Sequence, residues 1–266
     1  MILYKFIRTI IFWRENFEVW VIKKILLVLF LLFVAIITSI FINYKERGAF
    51  IRINRNLPIY CVDIKDKKIA MSFDVSWGND NTEKILDILD KYNIKATFFL
   101  VGGWVDENPD KVKEIYKRGH EIGNHSNKHP DMTKISRERI IQEIDISDAK
   151  IRQLTGEGTK LFRFPEGSYN DMSVQTASET GHYCVQWDVD SIDWREEGSD
   201  IEYSRIIKNT KPGSILLFHN NAKYTPGNLP RIIEKLQGEG YKFEKIGNLI
   251  YKDNYKIDYS GKQIPN

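Results

Sequence analysis

The chain has 266 residues, 42% of them hydrophobic, and a formal net charge of +3. That length holds one large α/β domain or two small ones with a sizeable core. The slight charge, with no long basic run beyond the N-terminus, argues against a nucleic-acid partner, and the two cysteines, Cys61 and Cys184, lack the Cys or His neighbours of a thiolate zinc site.

Residues 25–43 (ILLVLFLLFVAIITSIFIN) carry no charged side chain. A helix of about 20 residues spans a hydrocarbon core, and no small-residue cleavage site follows the run. The expectation is a signal anchor, with 1–24 cytoplasmic, 25–43 transmembrane and in contact with lipid, and the main domain extracytoplasmic. Lys5, Arg8, Arg14, Lys23 and Lys24 precede the run, while Lys45, Arg47, Arg52 and Arg55 follow it, so the charge bias behind that orientation is small. Residues 44–66 read as a linker broken by Pro58.

From Lys67 onward, strand-like runs alternate with helical patterns. Strands are predicted at 69–73, 96–101, 121–123, 161–164, 183–189, 214–218 and 242–246. Helices are predicted at 82–92, from Asn108-Pro109 to Gly119, at 136–154, from Asn170 or Asp171 to Gly181, at 201–209, and from Pro230 to Gly238 or Gly240. Asp80 and Glu83 have the spacing of a capping box, and 251–266 reads as a tail. Seven such units imply a parallel sheet with right-handed crossovers, an α/β fold closing as a distorted barrel. In barrels of this kind the site forms at C-terminal strand ends. Asp74, His125, Arg163, the cluster Asp188, Asp190 and Asp193, and His219 all fall there.

Each of these residues has a bland alternative. His125 and His129, four apart, converge on one ion or sit as polar residues in a turn. Asp74 is a general base or metal ligand, or else a turn aspartate. Arg163 orients a carboxylate and keeps it ionised, or makes a surface ion pair. Asp193 could hold a histidine in one tautomer, and Trp194 could wall a sugar ring or acetyl group, or pack in the core. His219 ends an apolar strand and reads as an acid or base. His120 and His182 each follow a glycine at a helix end and read as structural.

Five motifs occur in one order: SFD at 72–74, GHEIGNH at 119–125 continuing to His129, RFP at 163–165, DSIDW at 190–194 and LFH at 217–219. On these the chain, over 67–250, resembles the polysaccharide deacetylases, also called the NodB homology domain or carbohydrate esterase family four. Trp77-Gly78 and the stretch after His219 resemble the sporulation-associated branch of that family. The resemblance implies a distorted seven-stranded β/α barrel that uses a divalent metal, zinc or another, to remove N-acetyl groups from an aminosugar polymer such as peptidoglycan. It implies Asp74 as general base, His125 and His129 as metal ligands, and His219 as the acid tuned by Asp193. Arg163 would orient Asp74, while Trp194, Leu217 and Pro165 would border the substrate. Two positions depart from the pattern: Val75 stands where the family has a metal-binding aspartate, and Glu166 where a tyrosine is expected after Pro165. Asp80 is a poor substitute ligand because its capping role competes. Val75 motivates a second expectation, a catalytically weak carbohydrate-binding protein on the same fold. A barrel glycosidase pairing Asp74 with Glu166 or Asp190 leaves the histidines unexplained. An O-acetyl esterase differs in attacking an ester rather than an amide.

Overall fold

The computed structural model describes residues 20, 24, 27–39, 56–77 and 81–266. The chain divides into two units, Met1–Asn54 and Arg55–Asn266. In the first, residues 27–39 form helix α1, with exposed side chains. The rest of the predicted membrane span lies outside the described residues, and among those described no helix is long and apolar enough to cross a membrane.

The second unit carries, in order, β1 (Cys61–Val62), β2 (Lys68–Val75), α2 (Thr82–Lys91), β3 (Thr97–Leu100), α3 (Gly102–Glu107), α4 (Pro109–Lys117), β4 (Glu121–Asn124), α5 (Arg137–Thr155), β5 (Leu161–Phe162) and α6 (Asp171–Glu179). It continues with β6 (Tyr183–Cys184), β7 (Val189–Asp190), α7 (Ser199–Asn209), β8 (Ile215–His219), α8 (Thr225–Gly238), β9 (Lys242–Glu244), α9 (Ile246–Leu249), β10 (Tyr255–Ile257) and β11 (Lys262–Pro265). The main sheet runs β6-β5-β4-β3-β2-β8-β7, with β9 also on β2, and its pairings are parallel. Helical crossovers impose that arrangement.

The run predicted as one strand at 183–189 is two strands, β6 and β7, and they are the opposite edges of this sheet. Four residues join them, a span of at most about 17 Å between Cys184 and Val189. The sheet therefore curls until its edges approach, and the expected seven strands become an eight-stranded curled sheet. An apolar pattern shows where strands run, not where one leaves the sheet and rejoins it elsewhere.

Strand β2 shows how the two faces divide. Ile69, Met71, Phe73 and Val75 join a cluster with Ile85, Leu86 and Leu89 of α2 and Leu229, Ile232 and Ile233 of α8. Ala70 faces the other way, with Phe99, Leu161 and Ile215. Side chains alternate along a strand, so Ser72 and Asp74 share the inner face with Ala70. Val75 is fully buried on the helix side, turned away from Asp74.

Other boundaries differ locally. Helix α3 begins at Gly102, where the sequence suggested only a strand end. The amides of Gly102 and Gly103 donate to the carbonyls of Ser126 and Asn127, and a Cβ at 102 would come within 2.6 Å of Asn127 Oδ1. Helix α8 starts at Thr225 and contains Pro230; Pro226 lies in its first turn, where a missing N–H costs nothing. The segments read as linker and tail carry strands: β1 pairs with β11, β10 pairs antiparallel with β11, and Ile59 bridges to Val185. Cys61 and Cys184 are buried free thiols. The Ser136 hydroxyl caps α5, and Asn170 with Ser173 forms a capping box on α6. Asn81, at the N-cap of α2, makes no side-chain cap bond, and Asp80 lies outside the described residues.

Candidate functional site

Asp74 is 5% exposed and pairs in register with His219 on the neighbouring strand. Its Oδ1 accepts a hydrogen bond from Arg163 Nη1 at 2.8 Å. Arg163 is wholly buried: Nη2 donates to Ser72 Oγ at 2.9 Å and to the Gln186 carbonyl at 3.1 Å, and its guanidinium lies 4.0 Å from the centre of the Phe99 ring. Ser72 in turn donates to the Leu216 carbonyl, which ties the arginine to β8. Burial alone would raise the Asp74 carboxyl, but the charge and hydrogen bond of Arg163, the foremost of the opposing pulls, hold it below the usual carboxylate range.

His125 follows β4, with Nδ1 2.9 Å from the Arg163 carbonyl. That contact assigns the proton to Nδ1 and leaves a lone pair on Nε2, which lies 3.5 Å from Asp74 Oδ2. Burial pulls the imidazole below its ordinary value against the opposing pull of Asp74, so His125 is neutral and the contact is not an ion pair. The His129 ring stands 4.9 Å from that of His125, and burial followed by His125 brings its titration down to about 4. Ser126 and His129 both adopt positive φ, at 66° and 57°. Such backbone costs of order 1 kcal/mol per residue and persists where surrounding bonds fix it. Here Glu143, buried on α5, accepts the amides of Asn127 and Lys128, and Ser126 Oγ accepts that of His129.

These donors fit a divalent ion of the zinc type: two neutral imidazoles, one oriented by a carbonyl, beside a carboxylate. Val75 adds nothing to them, and among the described residues no group of three or more His, Cys, Asp or Glu side chains is gathered for a metal. The residues that would hold such an ion are His125 and His129.

On the other side, Asp193 Oδ1 lies 2.7 Å from His219 Nδ1, and its Oδ2 accepts the His219 amide at 2.8 Å and Thr225 Oγ1 at 2.9 Å. Burial would lower the His219 imidazole, but the hydrogen bond and charge of Asp193, with Asp74 and Asp190 behind them, raise it. Asp193 opens a 3-10 turn after Ile192, a β-branched residue at φ 53°. The Ile192 amide donates to Asp190 Oδ1 and the Asp193 amide to Ser191 Oγ, and these bonds hold the turn. Asp193→Asn removes the charge that favours the imidazolium. The His219 ring is therefore expected to titrate at lower pH than in the unaltered chain, as followed by NMR of the imidazole protons; an unmoved titration would overturn this account.

The structure thus gathers Asp74, Arg163, His125, His129, His219 and Asp193. Leu217 is buried two residues before His219, on the same face of β8; Trp194 is 55% exposed beside Asp193, and Pro165 is buried two residues after Arg163. Asp188 is not part of this group. It accepts the Ile215 amide and Ser214 Oγ at the opposite end of β8. Asp190 is engaged in its own turn, and Glu166 is exposed at φ 57°. His120 accepts the Ala96 amide, and His182 bonds Thr159 and Thr180, away from the site. Sequence reasoning missed Ser72, Glu143, Gln186 and Thr225. Only Glu143 left a signal, as a charge within the apolar stripe Ile140, Ile144 and Ile151.

The family profile described as polysaccharide deacetylase matches residues 62–185. The peptidoglycan-N-acetylmuramic acid deacetylase PdaA of Bacillus subtilis is 31% identical over 202 residues, 74% of this chain and 77% of that protein. Its solved structure superposes with a TM-score of 0.69 over 73% of this chain and 85% of that one. A peptidoglycan-N-acetylglucosamine deacetylase of Bacillus cereus is 36% identical over 191 residues, 70% of this chain and 89% of that protein. BA3943 of Bacillus anthracis, described as a CE4 family pseudoenzyme, is 35% identical with a TM-score of 0.70, over 72% of this chain and 68% of that one.

Proposed function

This chain belongs to the polysaccharide deacetylase family, and from that premise we propose that it hydrolyses N-acetyl groups on an aminosugar polymer, peptidoglycan, outside the membrane. The reading rests on one observation: Asp74 and His219 face each other in register on β2 and β8, the first kept ionised by Arg163 and the second charged more readily because of Asp193. A base and an acid on two sides of one point are what amide hydrolysis needs.

Asp74 takes a proton from the water that attacks the acetamide carbon, with Arg163 holding the carboxylate in place. As the C–N bond breaks, His219 gives its Nε2 proton to the departing amine while Asp193 holds Nδ1–H. The products are acetate and a free amino sugar. His125 and His129 would hold a divalent ion, which would supply Lewis acidity to the carbonyl. Leu217, Trp194 and Pro165 border the acetyl group. The uncharged run 25–43, with basic residues ahead of it, supports anchoring of the chain to a membrane with the unit from Arg55 outside.

The test is acetate release by the full chain from peptidoglycan and from N-acetylglucosamine oligomers, assayed with a chelator and with zinc, cobalt, manganese or nickel. Release is expected only with added ion, falling by at least about tenfold in His125→Ala. Folded protein that releases no acetate with any ion would overturn the proposal. Val75 and the likeness to BA3943 favour a second reading, a glycan-binding protein with little turnover. That reading expects binding to survive both His125→Ala and Asp74→Asn.

A further inference from the structure

Four tryptophans fall within the unit Arg55–Asn266. Trp104 is buried and Trp187 partly buried, whereas Trp77 and Trp194 are 61% and 55% exposed. Both exposed indoles stand at the candidate site. Trp194 follows Asp193, beyond edge strand β7. Trp77, although it follows β2, lies against His129, which comes from the β4 side; their ring centres are 5.1 Å apart and the planes perpendicular at 84°. The strand order β4-β3-β2-β8-β7 therefore sets one indole on the imidazole side of Asp74 and the other on the His219 side.

A perpendicular contact covers at most one face of the Trp77 indole, and the rest stays in water. The residue is nonetheless held in place. Its carbonyl accepts Asn221 Nδ2 at 2.9 Å, the preceding Ser76 amide donates to Asn220 Oδ1, and the Asn220 amide donates to the Asp74 carbonyl. The loop after His219 thus fixes the turn that carries Trp77. A large apolar ring standing in solvent on a fixed backbone beside the candidate site is poorly explained by packing. It matches the C–H face of a pyranose, which is apolar while the ring's hydroxyls point outward.

We propose that Trp77 is a stacking platform for the sugar next to the one that reacts, on the imidazole side. A polymer strand then lies across the strand ends, with the reacting sugar beside Trp194 and the next one on Trp77, occupying at least two consecutive sugars. This rests on the proposed aminosugar-polymer substrate.

The experiment measures calorimetric affinity and acetate release for N-acetylglucosamine and its oligomers of two to six sugars, using the full chain, Trp77→Ala and Trp77→Phe. Affinity should rise with length in the unaltered chain. In Trp77→Ala most of that rise should be lost, about tenfold for the hexamer and seen in KM more than in kcat, and Trp77→Phe should recover it. Equal dependence on length in both proteins, equal loss at every length, or no binding of any oligomer would each overturn the platform. Absence of acetate release from the unaltered chain counts against the deacetylase reading instead, and the binding series then decides the platform alone.

Discussion

Asp74→Asn is expected to lower kcat/KM for acetate release by roughly 10²–10⁴-fold, the range that a positioned general base contributes. Asparagine keeps the shape of the side chain and an oxygen able to accept Arg163 Nη1, so the site is not emptied. What it cannot do is take a proton. The environment of Asp74 shows why this position suits a base: burial would favour its protonated form, yet Arg163 overcomes that and keeps it ionised below the ordinary carboxylate range. His219 is shifted the other way and keeps its proton to higher pH than an ordinary imidazole. Activity should therefore fall as pH rises through the His219 titration, at higher pH than an ordinary imidazole would set. Single-turnover acetate release from pH 5 to 9 checks both points. Residual activity within tenfold of the unaltered chain would remove Asp74 from the role of base.

Much of this was legible in the sequence, for reasons that can be given residue by residue. Apolar runs ending in Asp74, His125, Arg163 and His219 placed those groups at strand ends, and the parallel sheet brought the ends together. The partners that fix them were hidden. Ser72 reads as one more strand residue until its alternation with Ala70 turns it inward toward Arg163. Thr225 reads as loop because Pro226 and Pro230 obscure the start of α8, yet its hydroxyl completes the shell of Asp193. Asp188 misled for the opposite reason. Its spacing from Asp190 suggested one cluster, but the break between β6 and β7 sends it to the far end of β8. Val75 was read as standing where the family has a metal-binding aspartate. That its side chain also points into the helix-side core follows only from strand alternation in the folded sheet.

Arg163→Met should destabilise the fold by about 3–5 kcal/mol at neutral pH, the usual cost of stripping one partner from a buried ion pair. The pair is 0% and 8% exposed by side chain, so water screens little of it. The effect should depend on pH in a definite direction. In the unaltered chain the folded Asp74 titrates below its unfolded value, so its contribution is present above about pH 4 and is lost as pH falls through the folded titration. Without Arg163 the burial of Asp74 is less opposed, and the carboxyl moves upward. Ionising it in the variant then costs more as pH rises. The gap between the two proteins should be widest near pH 7.5 and should narrow toward pH 4, as read from urea midpoints at each pH. Arg163→Lys should fall between them, because an ammonium keeps the charge but cannot reach Asp74, Ser72 and the Gln186 carbonyl together. A difference that stays constant across that pH range would mean that Arg163 stabilises by filling volume against Phe99, and that Asp74 does not depend on it for its charge.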